Sequence, residues 1–276
     1  MTTQIAPDTT ATGLAFYVCP ACRQSLLVTD KALVCQACRA AYPLAEGIPD
    51  FLGDDRLLQA IANPLLRRLV KTPWLAQMYE SRWWYPLVLN VYAGRHTTTR
   101  EELVRLVDTA VGEAPLILDA ACGPGTLGRR IVQPGQTVYG IDLAPGLLQG
   151  GRRMAQADGL TQVYFARAQV EELPFADGVF DAAVCGGALH LFHRPAAALG
   201  EIGRTLKPGA PLAVTTFTVG EKGLFHYARV RQALQARRGL HPFTWPELEG
   251  YLSEAGFTDF APQAFGSFTF FQARKR

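Results

Sequence analysis

The stretch Leu116-Ile117-Leu118-Asp119-Ala120-Ala121-Cys122-Gly123-Pro124-Gly125-Thr126 decides the fold. An apolar run ends in an acid and then breaks into a turn of small residues. A second apolar run, Val138-Tyr139-Gly140-Ile141, ends in Asp142. Strand, glycine turn, helix, strand and acid, in that order, is how an open parallel sheet holds a cofactor containing adenosine. The glycines let backbone approach the ligand, and the second acid accepts hydrogen bonds from ribose hydroxyls.

A nicotinamide or flavin dinucleotide fits this turn poorly. Such cofactors favour G-x-G-x-x-G, with a helix N-terminus facing a pyrophosphate. Here the turn reads Ala121-Cys122-Gly123-Pro124-Gly125 behind Asp119, whose charge would repel a pyrophosphate and suit a cationic sulfonium amino acid.

Leu118-Asp119-x-x-Cys122-Gly123-x-Gly125 resembles motif I of class I S-adenosylmethionine-dependent methyltransferases. Glu171 to Asp181, with Leu173-Pro174-Phe175 at its centre, is similar to the "LPF-x-D-x-x-FD" segment of their small-molecule branch. Leu206-Lys207-Pro208-Gly209 resembles the turn before their fifth strand. The resemblance implies a Rossmann-like α/β fold: a seven-stranded sheet, last strand antiparallel, with helices on both faces. It also implies S-adenosylmethionine as cofactor, held by Asp119, Ala121, Cys122, Gly123, Gly125, Asp142, Leu143, Gln169, Val170 and Gly186. Two positions depart from the family. Ala121 stands where an acid or glycine is usual, and Gln169 where an aspartate commonly binds the adenine amino group. A glutamine carbonyl still accepts that bond, without charge assistance.

Cys19-x-x-Cys22 and Cys35-x-x-Cys38 place two thiol pairs either side of a 12-residue gap. That spacing suits four thiolates around one structural zinc, with no position left open for substrate. Two disulfides or a redox pair is the alternative; a chain without a secretory signal, expected in the cytoplasm, keeps thiols reduced. The segment Ala41 to Leu52 resembles the end of the zinc-ribbon activators of tRNA and release-factor methyltransferases, and the front of bacterial rRNA guanine methyltransferases.

The expected organisation is a disordered N-terminus over 1–14, a ribbon over 15–53, a helical aromatic lid over 54–96 and the methyltransferase domain over 97–276. Within that domain a helix is inserted at about 221–240. With 276 residues, about half of them apolar, the chain can bury one large core plus a small satellite domain. Thr98-x-x-Glu101 and Thr244-x-x-Glu247 read as capping boxes. The net charge of +3 is scattered, so no basic stripe marks a nucleic-acid surface. No apolar run reaches the ~20 residues that span a bilayer.

Ligands of such sheets bind outside the carboxyl ends of the strands. The acceptor therefore meets the loop Gly186 to His193, where His190 is the candidate base or orienting group. His190 as a packed residue beside the cofactor is the other reading. Tyr79, Trp83, Trp84 and Phe217 are candidates to stack on a flat acceptor. Tyr79-Glu80-x-Arg82, the loop at His190 and Thr215-Thr216-Phe217 resemble uncharacterised plastid and cyanobacterial methyltransferases. The expected reaction is O- or C-methylation of a small aromatic or lipophilic acceptor. An rRNA or tRNA base methyltransferase that docks RNA by its ribbon is the alternative, as is a cofactor-binding scaffold without catalysis.

Overall fold

A computed structural model describes residues 13–53, 71–87, 98–219, 227, 229–233 and 240–276. The inserted helix expected at 221–240 lies mostly outside the described residues, as does most of the expected lid over 54–96.

The chain begins with four short strands, β1 (Leu26–Val28), β2 (Ala32–Cys35), β3 (Ala41–Ala45) and β4 (Ile48–Pro49), paired antiparallel in that order. Helix α1 (Trp74–Glu80) precedes α2 (Arg100–Val111). The catalytic sheet then runs through β5 (Leu116–Ala120), α3 (Gly128–Ile131), β6 (Thr137–Asp142), α4 (Pro145–Ala157), β7 (Val163–Arg167) and β8 (Ala182–Gly186). It ends with α5 (Pro195–Thr205), β9 (Pro211–Phe217), α6 (Trp245–Glu254), β10 (Phe257–Phe265) and β11 (Phe268–Lys275).

The seven strands lie in the order β10-β11-β9-β8-β5-β6-β7, with β5 through β9 parallel and β11 antiparallel to both neighbours. The chain moves outward from β5 to β7, then returns to β8 on the other side. Diverging loops at this reversal open a crevice between the ends of β5 and β8. The near-continuous apolar reading of β5 and β8 follows from cover on both faces.

The α2 cap sits one residue later than the spacing suggested. Thr99 holds extended backbone and its hydroxyl accepts from the Glu102 N–H at 3.1 Å, while Thr98 donates to the Glu102 carboxylate at 2.8 Å. The box at Thr244 and Glu247 forms as expected.

The cysteine-bearing front packs closely on the sheet. Tyr17, Cys19, Leu33, Cys35 and Tyr42 share one buried core with Leu118, Tyr139 and Phe175 of the sheet. Tyr17 stacks on Phe175, and the Val18 N–H donates to the Pro174 carbonyl at 2.9 Å. Gly13, expected within a disordered tail, accepts a hydrogen bond from the Tyr139 hydroxyl at 2.9 Å.

Candidate active site

The turn after β5 enters the left-handed region three times in five residues, with φ of 57° at Ala121, 56° at Gly123 and 68° at Gly125. Glycine adopts that conformation freely, whereas the Ala121 methyl strains it by about 1 kcal/mol. A methyl on Gly151 of α4 would lie 2.5 Å from the Pro124 carbonyl oxygen, so bare backbone of the first α4 turns supports this loop. The Cys122 thiol packs against Gly140 of β6, where a Cβ would sit 2.8 Å from its sulfur. Cys122 thus shapes the turn through its backbone, and its N–H donates to the Ile141 carbonyl at 3.0 Å.

Two carboxylates flank the turn. Asp119 is buried; its Oδ2 accepts from the Gly128 N–H at 3.0 Å, while Oδ1 has no partner among the described residues. Burial, offset in part by the Gly128 N–H and reinforced by Asp142, pushes its carboxyl up to about 7. An orphaned buried oxygen with that proton affinity suits a cationic ligand group. Asp142 accepts from the Gly123 N–H through Oδ2 and from the Ala144 N–H through Oδ1, both at 2.8 Å. These bonds aim its carboxylate across the turn, though burial still raises its proton affinity. Its second lone pairs remain for ribose hydroxyls.

Register places the other cofactor candidates around these acids. Asp142 pairs with Arg167 across β6 and β7, so Leu143 and Gln169 follow on adjacent strand ends. The Gln169 amide nitrogen donates to the Glu172 carboxylate at 2.8 Å, which leaves its carbonyl oxygen to accept from an adenine amine. Val170 is buried and opens a 3-10 turn with Glu171 and Glu172. Gly186 ends β8, where a Cβ would approach Leu127 at 3.2 Å. The structure brings Asp119, Ala121, Cys122, Gly123, Gly125, Asp142, Leu143, Gln169, Val170 and Gly186 to the carboxyl ends of β5 to β8.

The acceptor candidates divide. His190 lies in a 3-10 turn, 4% exposed, with Nδ1 3.4 Å from the Thr216 hydroxyl and its ring edge on Phe217. Burial pulls its pKa down to about 3, so the ring is neutral and lacks the near-neutral pKa expected of a base in this loop. Phe217 meets Phe268, and Phe268 meets Tyr85, each ring edge to face. Tyr85, which sequence reasoning passed over, carries a buried hydroxyl without a partner among the described residues. Tyr79 packs tilted against Trp84 at 4.9 Å between ring centres, and burial, reinforced by the Asp142 charge, raises the Tyr79 hydroxyl to about 12. Tyr79 therefore approaches Asp142, and Tyr85 the Phe217 and His190 end. Trp83 is 69% exposed beneath the Arg82 guanidinium.

The four ribbon thiols converge, with one sulfur from each lying within 4.8 Å of the others. The Cys19–Cys38 and Cys22–Cys35 sulfur separations are 3.5 and 3.4 Å, too long for disulfides and close to the edge of a tetrahedral thiolate cage. The Tyr42 hydroxyl lies 3.2 Å from the Cys19 sulfur, a donor that stabilises thiolate. The Cys38 N–H helps to draw the Cys35 thiol down to about 6. The set fits one structural zinc and leaves it no open position.

Comparison with known proteins agrees with this geometry. Residues 117–209 match the model of a methyltransferase domain, and residues 12–47 match that of Trm112p-like proteins. A demethylmenaquinone methyltransferase of Thermus thermophilus is 43% identical over 124 residues, covering 44% of this chain. The chain spans 56% of that relative's length. A second demethylmenaquinone methyltransferase, from Renibacterium salmoninarum, is 30% identical over 176 residues, covering 56% of this chain and 72% of its own. An uncharacterised chloroplastic methyltransferase of Arabidopsis thaliana is 26% identical over 283 residues, covering 93% of this chain and 78% of its own, so the likeness includes the ribbon. The chain belongs to the class I S-adenosylmethionine-dependent methyltransferases and carries a four-cysteine zinc ribbon at its front.

Proposed function

We propose that the protein methylates a small aromatic, lipophilic acceptor of the quinol type, on carbon or oxygen. The observation that carries this reading is the run of rings from Tyr85 through Phe268 and Phe217 to His190, beside the cofactor edge. Aromatic side chains in such a run suit a flat apolar ring and offer few charges to recognise a phosphate backbone. The names of two relatives, demethylmenaquinone methyltransferases, support the same acceptor class.

S-adenosylmethionine, held by the Asp119 to Gly125 turn, Asp142 and Gln169, supplies an electrophilic methyl group on sulfur when bound. The protein's share is alignment and exclusion of water. Asp119, through its unpartnered Oδ1, and Asp142, through oxygens oriented by backbone N–H groups, would hold the cofactor. Neutral His190 orients an acceptor hydroxyl as hydrogen-bond partner, without charge. A quinol that binds as its anion has already lost its proton to solvent, so methyl transfer to it needs no base from the protein. The ribbon's aromatic face is covered by the sheet, which favours a structural role over RNA docking.

The test is transfer of tritiated methyl to a short-chain demethylated naphthoquinol, run beside total RNA. Label in the quinol supports the proposal; label in RNA alone overturns it. A chain that binds S-adenosylhomocysteine but labels neither would be the non-catalytic scaffold.

A further inference from the structure

An aromatic roof does not by itself account for the carboxylate at its helical end. Glu80, the last residue of α1, reaches the loop that follows the cofactor turn. Its Oε1 accepts from the Thr126 hydroxyl at 2.9 Å, from Arg129 Nη2 at 2.6 Å and from Arg130 Nη1 at 3.2 Å. Its Oε2 accepts from Arg130 Nη2 at 2.5 Å and lies 4.0 Å from Arg100 Nη1. Arg100 also donates to the carbonyls of Tyr79, Glu80 and Ser81, the free C-terminal end of α1.

Arg129 is the hub of this joint. Its Nε donates to the Pro124 carbonyl inside the glycine turn, and its Nη1 pairs with Asp158 at the end of α4. One guanidinium, 7% exposed, therefore touches the cofactor turn, the helix beneath it and the roof. Bare backbone seats α1 on α4: a Cβ on Gly150 would sit 2.3 Å from the Ala76 methyl, and one on Gly146 would meet Lys71 backbone. Burial opposes the charge of Glu80, yet Arg130, Thr126 and Arg129 together hold its carboxyl below the usual range.

We propose that Glu80 is a positioning residue: an ionic latch that locks the roof to the cofactor turn and so sets where an acceptor stacks relative to the methyl donor. The inference rests on the methyltransferase reading. Glu80 touches neither reactant; it acts through Tyr79 beside it in α1 and through Trp84 and Tyr85 in the helical turn that follows. Roof and donor site then move as one body.

The test compares the full-length protein with Glu80→Gln, Glu80→Asp and Arg130→Gln. The last keeps the carboxylate and removes one partly exposed limb of the latch, so it covers the case in which Glu80→Gln misfolds. S-adenosylhomocysteine affinity is measured by calorimetry, amide exchange over 71–87 by mass spectrometry, and KM and kcat with the short-chain demethylated naphthoquinol. Expected are amide exchange about tenfold faster over 71–87, a raised acceptor KM and homocysteine-product affinity within about threefold of native. Glu80→Asp should recover part of the loss because it keeps the charge. Unchanged exchange and KM in both latch variants overturns the proposal. Equal loss of product affinity in both also overturns it, because the joint would then serve the cofactor alone. If the native protein itself fails to bind S-adenosylhomocysteine, the methyltransferase reading falls first and the latch with it.

Discussion

Arg167 and Asp50, 117 residues apart in sequence, form an ion pair of 2.8 Å between the end of β7 and the end of the ribbon. Arg167 also donates from Nε to the Leu143 carbonyl at 3.1 Å, and its own carbonyl accepts from the Phe51 N–H at 2.8 Å. The residue after the ribose acid is thus tied through one side chain to the ribbon. Asp50→Asn should keep the Oδ1 bonds to the Leu52 and Gly53 N–H groups and turn an amide donor toward Arg167. Removing the Asp50 charge from beside a buried guanidinium should cost about 3 kcal/mol of stability. Denaturant unfolding with and without S-adenosylhomocysteine checks this, and the cofactor should bind several-fold more weakly.

The ribbon's role leads to a second expectation. Because Tyr17, Leu33 and Tyr42 pack in the same core as Leu118 and Phe175, loss of metal should destabilise the sheet as well. Metal analysis should find one zinc per chain. Stripping it with a chelator should lower the temperature of a single unfolding transition. Two separate transitions, the ribbon melting first, would show a satellite domain.

Ala121 gives a third. Its φ of 57° is unfavourable for a side chain, so Ala121→Gly should relieve strain that the extra chain entropy of glycine nearly cancels. The net change should be within about 1 kcal/mol, whereas Ala121→Val should destabilise by more than that. Thermal unfolding of the two variants checks the difference.

His190 makes stability depend on pH. Burial depresses its folded pKa to about 3, below the unfolded value of 6.5. Below about pH 6.5 the unfolded chain takes up a proton that the folded chain refuses. The contribution is complete above pH 6.5 and is lost as pH falls toward 3. In His190→Gln the dependence between pH 6 and 4 should flatten by about one proton. A methyl-transfer rate that shows no ionisation near 6.5 would agree with a neutral, orienting ring.

The local motifs were legible because they carry their geometry in a few neighbouring residues. The turn at Asp119 to Gly125, the acid at Asp142 and the paired Cys-x-x-Cys motifs each fix backbone shape or donor set without long-range help. The cap of α2 shows the limit even there: Thr98-x-x-Glu101 and Thr99-x-x-Glu102 are equivalent in spacing, and only the extended backbone at Thr99 chooses. Glu80 with Arg129 and Arg130, or Asp50 with Arg167, could not be paired from sequence. Those partners lie 49, 50 and 117 residues apart, and only the fold makes them meet. The neutrality of His190 was equally hidden, since it follows from burial under Phe217 and the loop that brings His241 to its carbonyl.

S-adenosylmethionine is proposed to bind where Asp119, Asp142 and the left-handed turn meet at the strand ends. Calorimetric titration of S-adenosylhomocysteine into the native protein and into Asp142→Ala tests it most directly. The account predicts one site per native chain, and at least about tenfold weaker binding in a variant that keeps its fold, because a charged hydrogen-bond acceptor is lost. No heat of binding to the folded native chain, or equal affinity in both proteins, would contradict it.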